Sequence, residues 1–381
     1  MTLSIKVTAV TEVTAGLPQR WPELAEGGSL FASPGWLRAM DGRLGPETVT
    51  FTVRREGRPV LALFASVQRA HRPGELFDPH EMLVEPSHEL PLTEPSRVAR
   101  GRLRTAAPPP QRWPPYLLGM LPGYECAPVG EADPAALRVL VDATVDWCAD
   151  RGIATVAMMY VPPSAAEFAA ALAGRGFVAV PLTPTWDLPL PGGSAGDYLA
   201  ALPAKRRREA ARELRLLERA GVRVEPADAG AVFDDLVRLR CNLVAKYRTG
   251  RDPAAERAKL RRIVDDVAGG KPRVLLALAD GVPVGFALFA AHRDQWHCLA
   301  LGSDYADPRS RLTYFATTYY GAAELAARHG VRRIGYGLGA WPAKRARGCR
   351  PTPLTGWVHT TDPWLARTVR RSAQVTELRP L

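Results

Sequence analysis

The strongest constraint on the fold is an internal repeat. The stretch RREGRPVLALFASVQR (54–69) is matched by LADGVPVGFALFAAHR (278–293), and LVDATVDWCADRGIATVAMMYV (140–161) by TYYGAAELAARHGVRRIGYGLG (318–339). Each member of the first pair sets Glu-Gly or Asp-Gly ahead of an apolar run, the pattern of a tight β-hairpin. Each member of the second pair reads as a helix, a glycine where it would stop (Gly152, Gly330), and a buried strand. The order hairpin, helix, strand occurring twice predicts an α/β chain of two similar domains in tandem, each a mixed β-sheet flanked by helices. A length of 381 residues suits two domains. The boundary is expected in WDLPLPGGSAGDYLAAL (186–202), which divides the chain into 1–190 and 191–381.

These two halves differ in charge. Residues 1–190 carry 17 Lys and Arg against 20 Asp and Glu, whereas 191–381 carry 33 against 19; nets of −3 and +14 make up the total of +11. Such asymmetry points to a polyanionic partner for the second half. That half opens on LPAKRRREAARELRLLERAG (202–221), an amphipathic helix with Pro203 in its first turn and Gly221 at its end. Ala210, Leu214 and Leu217 form its narrow apolar face. Pairs such as Lys205–Glu209 and Glu209–Arg212 neutralise part of its charge, but the consecutive Lys205, Arg206, Arg207 and Arg208 exceed the available partners. Further cationic clusters stand at 257–262 and 344–350. No run of eighteen apolar residues is present, so no membrane insertion is expected. The start MTLSIKVTAVTEV lacks the layout of a signal peptide. Five scattered cysteines with no CxxC pair suggest reduced thiols in a cytoplasm.

Four segments in order, DYLAALPAKRRREAARELRLLERAGVRVE, ALADGVPVGFALFA, HGVRRIGYGLG and AWPAKRARG, resemble the Fem-like, double-GNAT-fold transferases: aminoacyl-tRNA-dependent peptidyl transferases and the related GNAT N-acetyltransferases. The resemblance covers most of 195–350 and, more weakly, 30–190. It implies acyl transfer to an amine, with an acyl-CoA or an aminoacyl-tRNA as donor. The typical Fem ligases carry a long coiled-coil arm and this chain has none, which leaves small-molecule acceptors open. Ordinary acetyl-CoA transferases hold the pyrophosphate in a glycine-rich backbone cradle. The matching segment here, ADPRSRLTYF (306–315), has no glycine for positive φ or close approach, although Arg309 and Arg311 can bind phosphate through side chains. A tRNA donor also accounts for the basic half, with Lys205, Arg206, Arg207, Arg208, Arg309, Arg311, Arg345 and Arg347 as candidate phosphate contacts. Tyr305, Tyr314, Tyr319, Tyr320, Tyr336 and Trp341 lie in this half as candidates to stack the acceptor end, with core packing as the other reading for most of them. The expected function is therefore aminoacyl-tRNA-dependent amide formation on a small-molecule amine, a natural-product or cell-wall precursor. The alternatives are an acyl-CoA N-acyltransferase with an altered pyrophosphate loop and an RNA-binding protein of the same fold without chemistry.

An aminoacyl ester is already activated, so the enzyme must mainly position the amine and stabilise the oxyanion. No Ser-His-Asp or Cys-His nucleophile motif is visible. Asp304, where the central strand ends and GNAT-like sheets splay, is the first candidate for base or ammonium anchor, with turn capping as the other reading. His297, within that strand, is a second catalytic candidate, with a satisfied core or surface histidine as the other reading. Lys344 matches the family's late-loop lysine, for donor phosphate or oxyanion, and Tyr336 with Gly337 and Gly339 ends the last strong strand. On the acceptor side stand Tyr116, Tyr124 and Tyr247; the resemblance places acceptors near the junction of the domains. His71, His80 and His88 lie among Asp78, Glu81, Glu85 and Glu89, but without helical ligand spacing, so no metal is expected. No cofactor is expected either, and no oligomeric state is specified.

Overall fold

The computed structural model describes residues 10–85, 90–191, 194–247, 252–267 and 271–380. It forms two compact units, Met1–Pro184 with Thr352–Leu381, and Thr185–Pro351. The division differs from the one expected at residue 191. The break falls inside a strand, and the C-terminal stretch returns to the first unit. No described helix is long and apolar enough to cross a membrane.

The strands of the first unit begin with β1 (Val10–Ala15), β2 (Thr48–Arg55), β3 (Arg58–Gln68), β4 (Tyr116–Gly119), β5 (Val129–Gly130), β6 (Thr155–Val161) and β7 (Val178–Pro189), the last of which ends in the second unit. The second unit continues with β8 (Val222–Ala227), β9 (Arg273–Ala279), β10 (Val282–His292), β11 (Gln295–Ser303) and β12 (Arg333–Gly335). The chain then re-enters the first unit through β13 (Arg350–Thr360), which lies between β6 and β7. Its register runs antiparallel to β6, with Thr360 opposite Thr155, and the helix Pro363–Val375 packs on the helix Glu94–Ala106. That return places the last segment with the first unit.

Both units repeat one plan. In the first, β2, β3 and β4 are successively antiparallel, and β6 runs parallel to β4 after the helix Pro134–Ala149. In the second, β9, β10 and β11 are successively antiparallel, and β12 runs parallel to β11 after helical segments spanning 310–328. The hairpin turns follow from their residues: Glu56 and Gly57 have φ of 52° and 76°, and Asp280 and Gly281 have 52° and 80°. Positive φ at both central positions gives the turn whose twist matches that of its strands. Helix starts recur as Asp-Pro. Asp78, Asp133, Asp252 and Asp362 each accept backbone N–H bonds as caps, with proline next to fill the first position, where an N–H has no partner. The first unit's core joins Phe51, Leu61, Leu63, Leu137, Leu140 and Val156. The second unit has a smaller cluster of Leu217, Val222, Ala277 and Val284 under the basic helix Ala204–Arg219.

Candidate active site

Strand β12 is three residues long, and β11 is nine. They pair only from Gln295–Arg333 to His297–Gly335. From Cys298 onward β11 has lost that neighbour, and the register with β10 slips between Leu288 and Phe289, opposite Ala300 and Cys298. A bulge of this kind bends a strand and re-aims its side chains. The gap opens into a cavity of about 210 Å³, lined along β11 by Cys298, Leu299, Ala300 and Leu301 and across from it by Tyr336, Leu338, Ala340 and Lys344.

The loop that forms the far wall is held by Lys344. Its ammonium is buried and donates to the carbonyls of Tyr336, Gly337 and Leu338 at 2.7, 2.8 and 2.8 Å. β12 stops just before them, so Lys344 supplies donors that the strand does not, the Gly337 carbonyl also accepting the Trp186 N–H at 3.2 Å. Lys344 therefore shapes the cavity, and these three bonds draw its charge into the wall. Tyr336 stacks on Tyr319 at 4.7 Å and donates its hydroxyl to the Thr318 carbonyl, while burial pushes its phenol upward.

The roof is the π-helical segment Ala316–Tyr320. Its wider turn carries Thr318 and Tyr319 to the cavity; Tyr319 lies against Tyr314, and the buried Thr318 hydroxyl has no hydrogen-bond partner among the described residues. Such insertions concentrate at functional sites, and unsatisfied buried hydroxyls are uncommon enough to point to a ligand or water. Arg240, from the helix Phe233–Tyr247, brings a guanidinium to the same cavity. It donates to Glu256 and to the Leu301 carbonyl, each at 3.3 Å. Burial pushes the Cys298 thiol up to about 12, so it carries no thiolate at neutral pH.

Of the four catalytic candidates, Tyr336 and Lys344 line this cavity, and His297 and Asp304 do not. His297 lies beside Asp187: an added methyl on Gly335 would sit 3.2 Å from Asp187 Oδ1 and 3.2 Å from His297 Nδ1. Burial, with His292 and Arg333 nearby, lowers His297 to about 4, so its imidazole is neutral at pH 7. Burial raises the Asp187 carboxyl. Asp304 takes the turn-capping role, accepting from Ala306 N–H at 3.1 Å and pairing with Arg238 at 2.9 Å. Sequence reading missed Arg240 and Thr318. Arg240 did leave a signal, since it interrupts the apolar helical stripe of Leu236 and Val244 at four-residue spacing.

The cationic candidates divide. Lys205, Arg207, Arg208, Arg311 and Arg345 are exposed. Arg206 pairs with Glu209 at 2.7 Å. Arg309 is held by Asp307 and Asp280, both at 2.7 Å. Arg347 is buried, with Nη2 donating to both oxygens of Glu213 at 2.7 and 2.9 Å and the guanidinium 3.7 Å from the Phe315 ring centre. It is a packing cation, contrary to its reading as a phosphate contact, because Glu213 and Phe315 enclose it. In the first unit, Tyr116 is fully buried, with its hydroxyl 3.4 Å from Asp78. Tyr124 is half-buried against Tyr160. The Tyr247 side chain lies outside the described residues.

Residues 204–345 match the family model of the acetyltransferase (GNAT) domain. Among solved structures, FemX aligns at 12% identity over 94% of this chain and 99% of its own, with a TM-score of 0.60. A tandem GNAT protein from the clavulanic acid biosynthesis pathway aligns at 14% identity over 93% of this chain and 99% of that one, with a TM-score of 0.44. The C-terminal domain of a putative lysylphosphatidylglycerol synthetase from Agrobacterium fabrum aligns at 15% identity over 67% and 81%, with a TM-score of 0.48. No curated protein matches the chain.

Proposed function

We propose that this chain, an acyltransferase of the Fem-like double-GNAT fold, transfers an aminoacyl group from charged tRNA to the amine of a small-molecule acceptor. The observation that carries the donor assignment is the turn before the helix Ser310–Phe315. In GNAT acetyltransferases the corresponding N–H groups cradle pyrophosphate. Here the Ala306 N–H is bonded to Asp304 Oδ1 at 3.1 Å and the Arg309 N–H to Asp307 Oδ1 at 2.8 Å. The anion-binding donors already hold the protein's own carboxylates, and the missing glycines give no room for a closer approach. The exposed cations of the helix Ala204–Arg219 supply the alternative, a backbone-tracking surface for RNA.

The cavity supports the chemistry. At about 210 Å³ it has room for a small aminoacyl group. The acceptor nitrogen attacks the ester carbonyl carbon and the carbonyl electron pair moves onto oxygen. Collapse re-forms the carbonyl, breaks the ester C–O bond and releases the terminal tRNA hydroxyl, which takes the proton the amine gives up. Arg240 is the cation assigned to the developing oxyanion, and the Thr318 hydroxyl is assigned to a polar atom of the aminoacyl group. Incubating the protein with radiolabelled aminoacyl-tRNAs and a panel of small amines tests the reading. Amine-dependent discharge is expected, abolished by Arg240→Met. Discharge of acetyl-CoA alone would establish the acyl-CoA reading, which the acetyltransferase domain match keeps as its competitor.

A further inference from the structure

The loop after β3 and the short helix Pro79–Leu83 bring three ligand-type side chains of the first unit together. The donor atoms of His71, His80 and Glu81 all lie within 4.8 Å of one another. We propose that they form a binding site for a divalent transition cation of the zinc type, with a fourth position open to water or another ligand.

Asp78 is fully buried and caps the helix through Oδ1, accepting the His80 N–H at 2.9 Å. Its Oδ2 accepts the Arg72 N–H at 2.8 Å and faces His71 Nδ1 at 3.1 Å. A carboxylate there places a proton on Nδ1, which leaves Nε2 as a lone pair. That lone pair faces Glu81 Oε1 at 3.3 Å, an acceptor against an acceptor. The contact is repulsive unless positive charge lies between the two atoms, supplied by a proton on Nε2 or by a metal ion.

His80 decides between them. Its side chain is 7% exposed, its Nδ1 lies 3.9 Å from the same Glu81 oxygen, and that nitrogen has no hydrogen-bond partner among the described residues. A proton on His71 leaves this buried nitrogen unsatisfied, whereas one cation serves all three groups. Ligands about 2.0–2.1 Å from a tetrahedral zinc stand roughly 3.3–3.4 Å apart. The His71–Glu81 separation meets that value as it stands, and His80 Nδ1, 3.9 Å from the Glu81 oxygen and within 4.8 Å of the His71 ligand atom, must move inward to meet it. Two imidazoles and a carboxylate with an open position is a recurring zinc set. The Asp78–His71 contact is the outer carboxylate that fixes tautomer and ring orientation in such sites. Sequence spacing hid the group because His71 and His80 are brought together by a capped loop and not by one helix. His88 and Glu89, the other members of that sequence cluster, lie outside the described residues.

The test uses the full chain, stripped of metal by chelation and titrated with zinc alone against a chromophoric chelator. One equivalent per chain is expected, and cobalt in its place is expected to give a four-coordinate visible spectrum. Glu81→Gln, which keeps side-chain size, should weaken zinc at least tenfold, and Asp78→Asn about 10–100-fold through orientation alone. Far-ultraviolet circular dichroism verifies that each variant is folded. The His71→Ala/His80→Ala double variant should lose the equivalent. No bound zinc, an equivalent retained by the double variant, or nitrogen NMR showing both His71 nitrogens protonated in the presence of zinc would each overturn the proposal.

Discussion

Replacing Lys205, Arg206, Arg207 and Arg208 together with glutamine tests the donor assignment at the place where it is most exposed. Lys205, Arg207 and Arg208 face solvent, and Arg206 shares its charge with Glu209 at 2.7 Å. Each phosphate contact contributes about 0.7–0.9 to the slope of log K against log salt. Three to four contacts therefore give a change of roughly 2 to 3.6 units. Over a fourfold rise in salt, that slope is a difference of about 20- to 150-fold in how steeply affinity falls. Stability should change by less than about 1 kcal/mol, because the one ion pair removed is exposed at 41% and 33%. Filter binding of tRNA at several salt concentrations, for both proteins, measures the slopes. Parallel lines with equal affinities would refute the reasoning and return this helix to the role of a solvated surface.

Three further outcomes are expected. Arg347→Met should cost about 3 kcal/mol in chemical denaturation, the lower end for breaking a buried pair, since Glu213 retains some access to water; adding Glu213→Gln should recover much of it. His297, held down near 4, takes no proton when folded but takes one near 6.5 when unfolded. Stability is then fully present above about 6.5 and falls as pH drops towards 4, by at most about 3 kcal/mol; melting curves of His297→Gln should lose this pH-dependent difference. Gly302→Ala should destabilise by about 1–3 kcal/mol or more and weaken transfer. The new Cβ would lie 2.6 Å from the Leu239 carbonyl carbon and 2.8 Å from the Arg240 nitrogen, so the helix carrying Arg240 must retreat; denaturant midpoints and kcat/KM measure the two effects.

The fold was legible where local chemistry dictates it. Asp280-Gly281 takes two positive φ values because those residues tolerate them, and the hairpin follows from four neighbouring positions. The return of β13 to the first unit was not legible, because its antiparallel partner β6 lies far back in sequence, with Thr360 opposite Thr155. Nothing local to either strand specifies that pairing. The π-helical segment was equally hidden: ATTYY has ordinary residues for a helix, and its register is set by what packs around it. Lys344 and Arg347 misled for a related reason. In AWPAKRARG they read as cations free to meet a donor phosphate or an oxyanion, yet both side chains turn inward, one to three carbonyls and the other to Glu213 and Phe315.

A count of cations is thus not a count of available charge, and this distinction bears on the donor. Around the turn where a pyrophosphate would be expected, Asp307 and Asp280 share the single guanidinium of Arg309, and Asp304 shares that of Arg238 with Asp235. The local sum of the first three groups is one negative charge. The backbone donors that would compensate are already bonded to Asp304 and Asp307. Arg309 thus offers a diphosphate little, although it is a cation in the expected segment. The basic helix is the reverse case: its consecutive cations outnumber the carboxylates within reach, and Lys205, Arg207 and Arg208 remain exposed to solvent. The same physical test, whether each charge already has a partner, sets the pyrophosphate loop aside and leaves the Ala204–Arg219 helix as the surface suited to a polyanion.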